Sequence, residues 1–249
     1  MPICTNNTQS PTYSIWKKGD KNIEMNAHHD YHGKNKQNEH NRGTKIKATD
    51  AVTILENIKQ SMYGEHDLLV YFCHGEFEEI FVQSCKDAII NKNEIFLLAT
   101  YYQDLGYVRK KLRMAGIDAT KYESIGALVI MDSETVYQSH IQKSDDNNYY
   151  ENDAKGIENT YNISITTSEL VRHAEKIGKN GVTIFGDLGP FILNNKLDEL
   201  IFYEQSIPAK IPNAKIRLIC CYHKKDFIRL SEEQRQKILS VHTNSFIII

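Results

Sequence analysis

The chain has 249 residues and a mass of 28.7 kDa, with 41% hydrophobic and 25% charged residues, a composition that excludes wholesale disorder. Lys plus Arg number 30 against 32 Asp plus Glu, a net charge of −2, which argues against a dedicated nucleic-acid binder. There is no run of about 18 apolar residues to span a membrane, and residues 1–30 lack an apolar signal core, so a cytoplasmic protein is expected.

Residues 1–48 are poor in apolar side chains and rich in Asn and Lys, too little to offset the entropy of ordering them. A disordered polar tail is expected there, attracted to the more acidic remainder. His28, His29, His32 and His40 lie in it and read as incidental, because fixed ligand geometry is not implied. A domain over 49–249 should follow. Asp50–Met62 has the spacing of a helix, and Leu68–Phe72 is the first of several short apolar runs. The helical stripe Phe77, Ile80, Phe81, Cys85, Ala88 and Ile89 comes next, then the run Ile95–Ala99. Leu105, Val108, Leu112 and Ala115 form another stripe, which Gly116 is placed to end. The run Ala127–Met131 precedes a polar stretch at 139–162, longer than an ordinary connection and expected to be a flexible insertion. Thr166-Thr167-Ser168-Glu169 has the pattern of a capping box before Leu170, Val171, Ala174 and Ile177, with Gly178 or Gly181 terminating. After the run Val182–Phe185, a helix is expected over Lys196–Ile207, stopped by Pro208 and Pro212. The run Ile216–Tyr222, a capping box at Ser231–Gln234 with its helix, and a last run Phe246–Ile249 complete the chain.

Short Ile-, Leu- and Val-rich runs without polar alternation suit strands buried on both faces. Their alternation with helices predicts an α/β domain of three layers, a mainly parallel sheet covered on both sides. Ligand chemistry belongs at the carboxyl ends of such strands, here Cys73-His74, Thr100-Tyr101-Tyr102, Asp132, Gly186-Asp187 and Tyr222-His223. The first strand–helix turn, Cys73–Glu79, has a single glycine and neither GxxxxGK[ST] nor GxGxxG. Glu76, Glu78 and Glu79 crowd it and would repel a polyphosphate. Asp187 could cap the turn at Gly189-Pro190 or touch a ligand.

Cys4, Cys73, Cys85, Cys220 and Cys221 form no CxxC pair and are expected to be free thiols. Cys220 and Cys221, adjacent in a strand, should point to opposite faces and share no metal. Two polar residues fall on apolar faces. At about 100° per residue, Glu204 lies between Leu200 and Ile201 in azimuth, and His242 follows Ile238 and Leu239 at helical spacing. A carboxylate there must be paired, hydrogen-bonded or protonated. His66 precedes the first strand, and Tyr71, Tyr101, Tyr102, Tyr107, Tyr203 and Tyr222 offer apolar walls with hydroxyl handles.

The order of these stretches resembles the MEDS domain, a methanogen/methylotroph sensory domain of a dichloromethane-responsive repressor and of sensor histidine kinases. The matching stretches are His66–Tyr71, Ile95–Thr100, Leu112–Asp118, Ala127–Asp132, Val182–Asp187, Leu200–Glu204, Cys220–Tyr222 and Ile238–His242. The resemblance implies a RecA/KaiC-like fold without nucleotide-binding motifs. It also implies sensing of small molecules such as hydrocarbon derivatives, with the signal passed to an output module. Asp187 stands where the family usually has glutamate, and Thr243 where proline often follows the last histidine.

The function expected is a non-enzymatic sensory domain that binds a small organic molecule and signals through a separate protein or through self-association. The candidate ligand-binding residues are His66, Tyr71, Asp187, Tyr203, Glu204, Tyr222 and His242, with no metal and no cofactor. The alternatives are a hydrolase or transferase site built from Asp187, Glu204 and His242, or a pure interaction module.

Overall fold

The computed structural model describes residues 46–141, 163–208, 211 and 214–248. Seven strands form one sheet: β1 (Ile46–Thr49), β2 (His66–Tyr71), β3 (Ile95–Thr100), β4 (Leu128–Asp132), β5 (Val182–Asp187), β6 (Ile216–His223) and β7 (Asn244–Ile248). Their order is β1-β7-β2-β6-β5-β3-β4, and every pairing is parallel. The expected parallel α/β architecture is thus the one observed. Every residue of β2, β3, β5 and β6 is buried, as strands covered on both faces must be.

Four helices cover one face: α1 (Ala51–Gln60), α2 (His74–Lys86), α3 (Leu105–Met114) and α4 (Ala119–Ser124). A π-helical turn over Asp87–Asn91 prolongs α2 and keeps Ala88 and Ile89 in the core. The other face carries α5 (Ser133–Ile141), α6 (Ile163–Lys176), α7 (Gly189–Leu193), α8 (Leu197–Ser206), α9 (Lys224–Phe227) and α10 (Glu232–Ser240). Two cores result, one per face. Leu69, Tyr71, Phe185, Ile219, Cys221 and Phe246 pack with α1–α4. Leu68, Val70, Ile184, Leu218, Cys220 and Tyr222 pack with the second set. Strand parity alone sorts them.

Local signals act as expected at several ends. Asp50 caps α1 by accepting from the Thr53 N–H at 2.9 Å. Gly116 (φ 84°) ends α3, and Gly178 (φ 71°) follows α6, both in the left-handed region that favours glycine. Ser231 and Gln234 form the capping box of α10, at 3.2 and 2.8 Å.

Other expectations need correction. Residues 46–48, assigned to the tail, belong to β1, which gains its hydrogen bonds from β7 rather than from apolar burial. The rest of the tail lies outside the described residues. Of the insertion expected at 139–162, residues 139–141 belong to α5, and residues 142–162 lie outside the described residues. Thr166–Glu169 sits inside α6, which begins at Ile163, so it is not a helix start. Cys85, Cys220 and Cys221 are free and buried, whereas Cys73 is disulfide-bonded, against the expected set of free thiols.

The amino edge of the sheet is tied by a buried ion pair. Arg217 on β6 donates to Glu94, which directly precedes β3, and also to Thr183 Oγ1 on β5 at 3.0 Å. Thr183 donates to Glu94 at 2.7 Å, and the Tyr63 hydroxyl donates to its other oxygen at 2.6 Å. Removing one partner strands the other charge in the core. Glu94→Ala is therefore expected to lower unfolding free energy by about 3–5 kcal/mol in urea titrations, and Glu94→Met/Arg217→Met to recover much of it. A loss of less than about 1 kcal/mol for the single variant would mean that Arg217 escapes to water.

Candidate functional site

Of the seven residues expected to line one site, six stand in two separate places. His66 opens β2 and Tyr71 closes it, five residues and about 16 Å along the strand, with opposite parity. Tyr71 and Asp187 meet at the carboxyl edge on the α1–α4 face. His66, Glu204, Tyr222 and His242 meet on the other face. Tyr203 joins neither ligand set: its ring packs on Phe191 (centroids 5.6 Å) and Tyr137 (5.4 Å) in the core.

At the carboxyl edge, Asp187 ends β5 with 1% of its surface exposed. The Tyr71 hydroxyl donates to its Oδ2 at 3.0 Å, and the Gly189 N–H to its Oδ1 at 2.9 Å. It therefore both caps the turn into α7 and meets a side chain from β2. Burial pushes its carboxyl up, to about 7, against the pull of these hydrogen bonds. A second buried carboxylate, Asp226 at the start of α9, accepts from the Tyr102 hydroxyl. Rings close over the pair. His223 lies edge-on to Tyr71 at 5.2 Å and tilted against His74 and Tyr102 at 5.5 and 5.4 Å, while Tyr101 meets Tyr102 at 5.1 Å. His74 is exposed and the two tyrosines are half-buried, so this layer faces water.

The acidic turn before this edge is less crowded than expected. Only Glu76 lies in the first turn of α2. Glu78 turns aside to accept from the Tyr107 hydroxyl at 3.1 Å, and it pairs with Lys111 at 2.9 Å on α3.

On the opposite face Glu204 has no exposed surface. Its Oε2 lies 3.1 Å from His66 Nε2 and 3.4 Å from His242 Nε2, and the Cys220 thiol donates to it at 3.6 Å. The Tyr222 hydroxyl donates to its Oε1. Burial pushes Glu204 up, but the two imidazoles and the hydroxyl outweigh it and hold the carboxyl below the usual range. Burial and the neighbouring His66 push His242 down, to about 4. The ring centroids of the two histidines are 3.9 Å apart.

Asp187 and Glu204 stand on opposite sides of the sheet. Asp187 pairs in register with Cys221, whose side chain belongs to the α1–α4 core, whereas Glu204 sits over Cys220 and Tyr222. The three groups of the enzyme alternative, Asp187, Glu204 and His242, do not converge. The seven candidate ligand-binding residues did not include His74, His223, Tyr102, Asp226 or Cys220. The first three stood at strand ends already marked for ligands, and Cys220 shares its parity with Tyr222.

Comparison with known proteins places the chain. The family model described as MEDS, the methanogen/methylotroph, DcmR sensory domain, matches residues 65–243. The chain belongs to this sensory-domain family. Among solved structures it is similar to a KaiC-like protein from the hyperthermophilic archaeon Pyrococcus horikoshii OT3. The likeness has 14% identity and a TM-score of 0.44, and it covers 72% of this chain and 68% of that one. No curated protein matches the chain.

The raised Asp187 carboxyl has a stability consequence with a definite sign. An unfolded aspartate releases its proton near 3.8 and the folded one near 7, so between these values the folded state holds more protons. Stability then falls as pH rises through that window and levels off above it. Asp187→Asn keeps an acceptor for Gly189 and removes the titration. Its melting temperature relative to the parent is expected to be higher at about pH 7.5 than at about pH 4.5. An equal difference at both values would show that the carboxyl ionises freely.

Proposed function

We propose that this sensory domain binds a small organic molecule at the carboxyl edge of its sheet, is not itself an enzyme, and signals through a separate partner or a second copy. One observation carries the reading. Half-exposed and exposed rings, Tyr101, Tyr102 and His74, stand with His223 above two buried carboxylates, Asp187 and Asp226. Aromatic walls give shape and apolar contact, while fixed acceptors beneath them orient a polar group. The position also suits a ligand: the edge lies at the carboxyl ends of β2, β5 and β6, where an open parallel sheet leaves a crevice. A nucleotide is disfavoured by chemistry, since Glu76 and the two buried carboxylates present acceptors to what would be an anionic phosphate chain.

A thermal-shift screen of small organic compounds, with magnesium-ATP alongside, tests this. A compound that binds only the folded state, present at 100 times its Kd, stabilises by about 2.7 kcal/mol, or roughly 5–10 °C for a chain of this size. His223→Ala and Tyr102→Phe are expected to weaken such a compound about tenfold or more. Absence of any stabilising compound, or tight magnesium-dependent ATP binding, would overturn the proposal.

A further inference from the structure

We infer that His66, Glu204, Cys220 and His242 form a binding site for a divalent transition-metal ion, zinc foremost, buried on the face of the sheet opposite Asp187. This goes beyond the proposed ligand edge and does not depend on it. Each residue offers one donor atom, and the four donors lie within 4.8 Å of one another. Zinc bonds of about 2.0–2.3 Å in a tetrahedron set ligand atoms roughly 3.3–3.7 Å apart. The edges here run at 3.1 Å (His66 Nε2 to Glu204), 3.2 Å (His66 Nε2 to Cys220 Sγ), 3.4 Å (His242 Nε2 to Glu204) and 3.6 Å (Cys220 Sγ to Glu204). Small outward shifts of the side chains would seat an ion among them.

The surroundings orient the donors as a metal requires. His66 Nδ1 lies 3.3 Å from the Val241 carbonyl and His242 Nδ1 lies 2.7 Å from the Ile238 carbonyl. A carbonyl only accepts, so each Nδ1 carries the proton and each Nε2 is turned inward, the arrangement that metal-ligating histidines use. Tyr222 holds Glu204 Oε1 and leaves Oε2 to face the cluster. His242 Nε2 is fully enclosed and has no hydrogen-bond partner among the described residues. As neutral rings the two histidines would turn two lone pairs on one carboxylate oxygen, and a proton on either Nε2 makes that contact attractive only by charging a ring in a dry core. One divalent ion would draw all four donors.

Charge also balances. The Cys220 S–H bond breaks on binding, its proton leaves to solvent, and its electron pair forms the metal–sulfur bond. One dication with one thiolate, one carboxylate and two neutral imidazoles is a neutral unit, which a dry core tolerates far better than a lone carboxylate. One thiolate with two imidazoles and one carboxylate is a donor set zinc accepts in a tetrahedron.

The test uses the full chain, freed of metal with a chelator and loaded with cobalt(II) or zinc. One ion per chain is expected, with the visible bands of tetrahedral cobalt and a thiolate-to-cobalt charge-transfer band. Cys220→Ser should abolish the charge-transfer band. Replacing His28, His29, His32 and His40 together with Asn should leave it unchanged. Tyr222→Phe should weaken zinc binding about 10- to 100-fold while keeping the coordination. No thiolate band, a band surviving Cys220→Ser, or a band lost with the four tail histidines would overturn the site. Should Cys220→Ser fail to fold, X-ray absorption at the zinc edge of the tail-substituted chain decides. One sulfur among four scatterers supports the site, and nitrogen and oxygen alone refute it. None of these readouts involves an organic ligand, so a failed compound screen and a failed metal site are distinguishable.

Discussion

A carboxylate with no exposed surface must be compensated where it stands, and Glu204 imposes that demand on three separate parts of the fold. An uncompensated buried charge costs several kcal/mol, as much as a large share of a domain's net stability. His66 from the start of β2, Cys220 and Tyr222 from β6, and His242 from the turn between α10 and β7 all answer it. The docking of α8 is fixed by polar contacts as well as by Leu200 and Tyr203 in the core. Apolar packing tolerates small slips of a helix, but a carboxylate meeting two imidazoles, a thiol and a hydroxyl does not.

Strand β6 supplies side chains to both polar clusters by alternation. Its neighbours are β2 and β5, it is buried along its whole length, and successive side chains serve opposite faces. Cys220 and Tyr222 turn to Glu204, while Cys221 turns to the α1–α4 core and His223 to the rings at the edge. At its amino end Arg217 meets Glu94. A central strand of this kind is apolar on both faces for most of its length, so its few polar side chains are placed by parity and neighbours rather than by any local motif.

Much of the architecture was legible from periodicity. Six of the seven strands, the capping box of α10 and the glycine at the end of α3 follow from patterns spanning only a few residues. The inward position of Glu204 was legible too, because helical spacing puts it on an apolar stripe; His242 is buried as expected but lies in the turn after α10, not on the helix to which its spacing assigned it. The missed strand β1 is short and is held by backbone pairing with β7, which no side-chain pattern records. The division of the candidate residues was partly readable: His66 and Tyr71 have opposite parity within one strand. Which partner each would meet was not, since His66 and His242 are joined only by the β2–β7 pairing of a non-sequential sheet. Cys220 illustrates the same limit. Its opposition to Cys221 was evident, but its approach to Glu204 depends on how α8 lies across the sheet.

The turn from β2 into α2 explains why rings rather than a phosphate cradle line the carboxyl edge. A phosphate cradle needs several glycines so that consecutive backbone N–H groups can close on the anion. Here Gly75 stands alone between His74 and Glu76, and the preceding strand ends in Tyr71, whose hydroxyl is already given to Asp187. Phe77, the next apolar residue of α2, stacks on that tyrosine with centroids 4.3 Å apart, which locks the first turn of the helix against the strand. Backbone amides so positioned cannot wrap a polyphosphate without breaking both the stack and the hydrogen bond. What remains at the surface there is imidazole and phenol over carboxylate, a lining chemically suited to shape and hydrogen bonding rather than to negative charge.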